Sequence, residues 1–312
     1  MLPRIAIVGV GQVGGAAAYA LILSSLAREI LLVDVKSALR DAQARDLSDV
    51  AYASNSNTRV RATTIHEAGQ CDIVVVTAGS NFWSGETRMQ RIYHNINILR
   101  DVIDAMRPFR SDAIILIVAN PVDLLTSLAV DMSRLPPSQV IGSGTYVDSV
   151  RLRGLVADHV SVAASSIDLY VVGVHGEEQV AAWSTATVGG VPLDRALASK
   201  SDNQGVEIDR AALAMECRRR SERIVEAKGA TPLGIGAIVA SICSSVLWDK
   251  KDVRPVSHFQ AESGCCYSLP AVIRRKGIVR TTEMSLSAEE RADLDRSVKA
   301  LRGTMEKIRE GY

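Results

Sequence analysis

Residues Ile5 to Ala27 carry no charge, yet glycine interrupts them where a membrane helix would have to be most apolar. The stretch opens Ile5-Ala6-Ile7-Val8, turns through Gly9-Val10-Gly11-Gln12-Val13-Gly14-Gly15 and goes on as an apolar run. A spanning helix needs about 20 apolar residues in a row, and glycine is a poor helix former. The order suits instead a buried strand, a tight turn and the start of a helix. In that setting G-x-G-x-x-G is a dinucleotide-binding fingerprint. Gly9 would allow the tight turn, Gly11 the close approach of backbone to a pyrophosphate, and Gly14 close packing of helix on strand. Gln12 and Val13 lie at the helix N-terminus, where free N–H groups and partial positive charge meet phosphates. Asp34 follows Gly14 by 20 positions, at the end of the next apolar run. A carboxylate there accepts hydrogen bonds from ribose hydroxyls and repels a 2′-phosphate, so NAD is expected rather than NADP.

Beyond this unit the chain alternates. Ile30 to Val35, Asp72 to Thr77 and Ala113 to Ala119 are short apolar runs of the kind found in strands buried on both faces. Arg59 to Thr63 alternates weakly. Ala38 to Val50 and Glu86 to Arg107 have helical spacing. This β–α alternation predicts an α/β fold with a doubly wound parallel sheet, of Rossmann type, over residues 1–142. The second part, 143–312, has shorter strand signals at Asp168 to Gly173 and Ala181 to Val188. It has long helical stretches at Gly205 to Lys228 and Leu286 to Arg309. It reads as an α+β catalytic domain. The uncharged stretch Gly229 to Trp248 contains Pro232, Gly234 and Gly236, and is expected to be a loop running into a buried helix. No transmembrane segment is expected.

Composition narrows the partners. Lys plus Arg number 36 and Asp plus Glu 35, a formal charge of +1. That balance excludes a strongly basic nucleic-acid surface. The five cysteines are odd in number and show no metal-ligand spacing, so neither a disulfide framework nor a metal site is expected. Adjacent Cys265 and Cys266 read as two reduced thiols, which suits a reducing, cytoplasmic compartment.

Several further segments carry a resemblance. Besides VGVGQVG, they are TAGSNFWSGETR (Thr77 to Arg88), ANPVD (Ala119 to Asp123), GSGTYVDSVR (Gly142 to Arg151), VVGVHGEE (Val171 to Glu178), KGAT (Lys228 to Thr231) and the late LPAVI-RRKGI. In order and spacing, along nearly the whole chain, they are similar to the L-lactate/L-malate dehydrogenase family, and closer to its lactate members. The resemblance implies an NAD-dependent enzyme for a small 2-oxo or 2-hydroxy acid, in a homotetramer or homodimer.

It also implies roles. His175 would be the acid/base, since imidazole titrates near neutral pH. Asp148 would orient that histidine and stabilise its charged form. Arg151 would hold the substrate carboxylate by two points, and a spacing of three on a helix would put it on the face of Asp148. Arg88 would polarise the carbonyl from a lid formed by Gly79 to Arg88. Thr77, Ala78 and Gly79 would line the cofactor. Asn120 would meet both nicotinamide and substrate, Thr231 the substrate pocket, and Ile235 the back of the nicotinamide ring.

Two departures bear on selectivity and control. Phe82 stands at the family's specificity position, where lactate enzymes usually carry Gln and malate enzymes Arg. Phenylalanine cannot pair a second carboxylate, and burying one unpaired costs several kcal/mol. Malate is therefore disfavoured, while pyruvate or a longer apolar 2-oxo acid fits. Malate dehydrogenase and an inactive NAD-binding protein remain the competing readings. Many bacterial members bind a sugar bisphosphate through an Arg and a His. Arg153 keeps the first, but Asp168 replaces the second, so no activation by fructose bisphosphate is expected.

Overall fold

The computed structural model describes residues 3–80, 85, 87–198 and 207–310. Its first part runs β1 (Arg4–Val8), α1 (Gln12–Leu23), β2 (Glu29–Val33), α2 (Ser37–Ala53), β3 (Arg59–Ala62), α3 (Ile65–Ala68), β4 (Ile73–Val76), α4 (Arg88–Met106), β5 (Ile114–Ile117), α5 (Val122–Ser133) and β6 (Val140–Gly142). The strands pair in parallel in the order β3-β2-β1-β4-β5-β6. This is the doubly wound arrangement that the alternation predicts.

Side-chain alternation along each strand sorts the core into two layers. Ile5, Ile7, Ile30, Leu32, Ile73, Val75, Ile114 and Leu116 belong to one. Ala6, Val8, Leu31, Val33, Val74, Val76, Ile115 and Ile117 belong to the other. Both faces are covered, which is why these segments read as unbroken apolar runs rather than as alternating ones.

The second part contains α6 (Tyr146–Val160), β7 (Ile167–Asp168), β8 (Val171–Gly173), β9 (Gln179–Ala181), β10 (Thr187–Val188), β11 (Val191–Pro192), α7 (Leu193–Ala198), α8 (Arg210–Lys228), α9 (Pro232–Leu247), β12 (Val253–Gln260), β13 (Cys265–Arg274), β14 (Gly277–Thr281) and α10 (Ala288–Glu310). It continues the same sheet. β12 joins β6 antiparallel, and β13, β8 and β9 follow, with β14 on β13, giving 11 strands in all. A second sheet of 3 strands holds β11, β10 and β7.

Some segments differ from expectation. The signal at Asp168 to Gly173 divides between two strands in different sheets. That at Ala181 to Val188 is interrupted by a 3-10 turn at Trp183–Thr185. The uncharged segment Gly229 to Trp248 is helical from Pro232 onward. Its glycines do not break the helix, and Gly236 lets it approach α1. A Cβ on Gly236 would lie 2.7 Å from the Ala16 carbonyl oxygen. The β12–β13 hairpin had no sequence forecast, because proline argues against interior strand. Here Pro255 and Pro270 face each other in register, so the missing donors coincide at one rung.

The β13–β14 turn also reaches the far end of the parallel strands. Arg275 Nη2 lies 2.5 Å from Asp72 Oδ1, and Arg110 reaches the same oxygen at 3.2 Å. All five cysteines are buried and unpaired. Among the described residues, no helix is long and apolar enough to cross a membrane.

Candidate active site

The carboxyl ends of the parallel strands carry the first half of the site, as expected for an open α/β sheet. After β1 the chain turns at Gly9 with φ +91°, and a Cβ there would sit 2.6 Å from the Ala78 nitrogen. Thr77 donates its hydroxyl to the Gly9 carbonyl at 2.5 Å and to that of Val8 at 3.2 Å. A Cβ on Gly14 would lie 2.0 Å from the Gly9 oxygen, so only glycine lets α1 start this close to the turn. Gly11 differs: a Cβ there would meet nothing within 4 Å. It is the N-cap of α1 and makes no side-chain cap, leaving the first-turn N–H groups of Gln12, Val13 and Gly14 without one. Open space beside an uncapped helix N-terminus fits a dinucleotide pyrophosphate.

Asp34 follows β2 and does more than the sequence suggests. Its Oδ2 accepts the backbone N–H of Val10 at 2.8 Å, and its Oδ1 that of Lys36 at 2.8 Å. The carboxylate expected to meet ribose thus also fixes the glycine turn. Gln43 of α2, not singled out by sequence, donates to the Val10 carbonyl at 3.0 Å.

Asn95 is a second residue the sequence reading missed. It is buried in α4, accepts the N–H of Ser80 at 2.8 Å and donates to the carbonyl of Asn120 at 2.8 Å. It therefore ties the segment after β4 to the one after β5, and sets both Gly79 and Asn120. In sequence it is one polar position among others in an amphipathic helix; its burial shows only in the fold. Thr231 is the N-cap of α9, and Ile235 packs against the apolar layer that holds α1. A Cβ on Gly234 would lie 3.6 Å from Val147, so this end of α9 stands against α6.

The second half of the site gathers round α6 and the segment after β8. His175 Nδ1 lies 2.6 Å from Asp148 Oδ2, and Arg151 Nη1 lies 3.4 Å from Asp148 Oδ1. Both residues of α6 face the histidine, as a spacing of three requires. The Asp148 side chain is 2% exposed, that of Arg151 9% and that of His175 22%. The histidine is thus reachable, while its carboxylate is not. Burial disfavours charge on His175, but the charge and hydrogen bond of Asp148, with Asp123 behind it, outweigh burial and raise its pKa above the usual histidine value.

Asp123, within the quoted ANPVD segment but given no role there, proves to be part of this cluster. It is 1% exposed, and its Oδ2 accepts the backbone N–H of His175 at 2.7 Å. The buried Ser257 hydroxyl lies beside the same carboxyl and favours its charged form. Burial pushes the Asp123 carboxyl upward.

Arg88 is the first residue of α4 rather than the end of a loop. Thr87 caps the helix, accepting from Gln90 N while Gln90 Oε1 accepts from Thr87 N, and Arg88 is exposed just inside it. Arg88 makes no hydrogen bond to His175 or Asp148. Phe82 lies outside the described residues.

The sequence matches a family model, lactate/malate dehydrogenase, NAD binding domain, over residues 3–142. A second, lactate/malate dehydrogenase, alpha/beta C-terminal domain, matches residues 145–311. The chain belongs to the lactate/malate dehydrogenase family. Within that family it is 42% identical to an L-lactate dehydrogenase A of Rhizopus oryzae over 299 residues, covering 96% of this chain and 91% of the relative. It is 39% identical to an L-lactate dehydrogenase of Thermus aquaticus, covering 96% and 97%. A crystal structure of a minor L-lactate dehydrogenase from Enterococcus mundtii, in a ligand-bound form, superposes with a TM-score of 0.92 at 31% identity, over 98% of each chain. The lactate/malate dehydrogenase fold, with its NAD-binding domain, is therefore the fold of this chain, and the lactate members are well represented among its relatives.

Proposed function

We propose that the protein is an NAD-dependent L-lactate dehydrogenase, interconverting pyruvate and L-lactate. The observation that carries this reading is the 2.6 Å pair of His175 and buried Asp148, with Arg151 on the same helix face. The relatives named above as L-lactate dehydrogenases support it across nearly the whole chain.

When bound, NADH would supply a hydride to the substrate carbon and NAD+ would accept one in the reverse direction; the side chains supply the proton, the grip and the charge. His175 gives a proton to the ketone oxygen during reduction and takes it back in oxidation. Asp148 fixes Nδ1, so Nε2 is the atom left to face substrate. Arg151 takes the substrate carboxylate. Arg88 would polarise the carbonyl once its segment closes, which also excludes water. Gly9, Gly11, Gln12, Val13, Gly14, Asp34, Thr77, Ala78, Gly79, Asn120 and Ile235 would hold the cofactor, with Thr231, Asn120 and Phe82 facing substrate.

This reading includes a division of the chain at Gly142, a homodimer or homotetramer, and no sugar-bisphosphate activation. The last is supported by Arg153: its Nε donates to the Leu169 carbonyl at 2.8 Å and its guanidinium lies 4.7 Å from the Tyr170 ring centroid. Asp168 would stand where a phosphate must bind.

The test is oxidation of NADH with pyruvate, oxaloacetate, 2-oxobutyrate, 2-oxoisocaproate and phenylpyruvate, compared by kcat/KM. Pyruvate is expected to lead. A lead for oxaloacetate would overturn the reading of Phe82, and a lead for the bulky acids would retain the mechanism and replace the substrate.

A further inference from the structure

Helix α8 approaches the site from outside the sheet. Its N-cap is Asp209, and of its residues only Leu213 and Cys217 are buried. These two are spaced by four, and Ser221 comes four later, so the three share one face. That face rests on α6. The Cys217 thiol donates to the Asp148 carbonyl at 3.3 Å, and the Ser221 hydroxyl accepts from Arg151 Nη1. The opposite face is polar and exposed, with Arg223 paired to Glu216 at 2.8 Å.

Arg151 is therefore held from two directions. Asp148 takes Nη1 from its own helix, and Ser221 takes the same nitrogen from α8. A guanidinium nitrogen of this kind carries two hydrogens, so the pair can engage both and leave other N–H groups of the fork for a ligand. A single flexible contact would leave the guanidinium free to rotate about its long side chain, and a two-point grip on a carboxylate depends on its plane.

We propose that Ser221 is a positioning residue for substrate capture: its hydroxyl, together with Asp148, sets the plane of the Arg151 guanidinium that receives the substrate carboxylate. This rests on the reading of Arg151 given above. Ser221 touches no reacting atom, so its removal should weaken substrate binding and spare the chemical step.

The experiment compares Ser221→Ala, Ser221→Thr and Arg151→Lys in the full-length protein. The readouts are KM for pyruvate, Ki for oxamate (a pyruvate isostere), kcat and the Kd of NADH. Alanine favours helix, so Ser221→Ala should fold, and unchanged NADH binding checks this. For Ser221→Ala the pyruvate KM and oxamate Ki should rise about tenfold, with kcat within about twofold. Ser221→Thr, which keeps the hydroxyl, should restore both. An unchanged or lowered KM in Ser221→Ala, while Arg151→Lys raises KM by about a hundredfold or more, would overturn the role of Ser221 alone. So would a failure of threonine to restore binding. An unchanged KM in Arg151→Lys would instead overturn the reading of Arg151 on which this one stands.

Discussion

Asp148 places one carboxylate oxygen on His175 and the other on Arg151, at 2.6 and 3.4 Å, from a side chain that is almost wholly buried. In the proposed reaction one residue would thus link proton transfer to carboxylate binding. With His175 as the proposed acid, reduction requires it protonated, and its pKa is raised, so pyruvate reduction should hold through neutral pH and fall as pH rises through that raised value. Asp148→Asn removes the charge and should move this limb to lower pH, with kcat/KM down by about a hundredfold or more. His175→Asn should lose at least as much while still binding NADH. The pH profile of kcat/KM and an NADH titration check both.

The backbone of His175 depends on Asp123. Asp123→Ala would leave a buried N–H unpaired, which costs about 1–3 kcal/mol. The expected result is a lower melting temperature together with reduced kcat, because the histidine loses its fixed position. Thermal unfolding and steady-state kinetics measure the two separately. An unchanged melting temperature would mean that the segment repacks without the bond.

Gly11 and Gly14 should behave differently although they belong to one motif. Alanine at Gly14 puts a methyl 2.0 Å from a backbone oxygen, so the turn must open and the protein should be destabilised. Alanine at Gly11 meets nothing within 4 Å, so the fold should be unchanged. If the pyrophosphate passes there, Gly11→Ala should still raise the Kd of NADH by about tenfold or more. Melting curves with and without NADH distinguish the two effects.

Asp34 also has two tasks. Asp34→Ser should relax the exclusion of NADPH, but it should weaken NADH by more than a lost ribose contact, since Val10 loses its acceptor as well. Asp34→Asn keeps an acceptor and should retain more of the NADH affinity than serine does. Titration of each variant with both cofactors decides this.

The parts of the molecule legible in the sequence were those set by local order. The three buried strands, the glycine turn and the position of Asp34 follow from short apolar runs and fixed offsets. Asp148 and Arg151 share a face because helix periodicity demands it. What stayed hidden depends on distant pairing. Asp123 meets His175 across 52 positions, and Ser221 meets Arg151 across 70. Asn95 looks in sequence like any polar residue of an amphipathic helix. The β12–β13 hairpin was masked by two prolines whose register is known only once the strands pair. Arg88 falls both in the helical spacing of Glu86 to Arg107 and in the glycine-rich lid of Gly79 to Arg88, and only the Thr87 cap separates the two.

The close contact of Gly236 with Ala16 has a consequence for how the chain can be divided. Helix α9 comes from the second half of the sequence, yet it shields apolar strand residues of the first. A polypeptide ending at Gly142 would contain every strand of the parallel sheet and still lack Ile238, Val239 and Ile242, which α9 adds to the same apolar layer. The first half is thus not a detachable cassette: its hydrophobic interior is completed only after Asp148 and His175 have been synthesised.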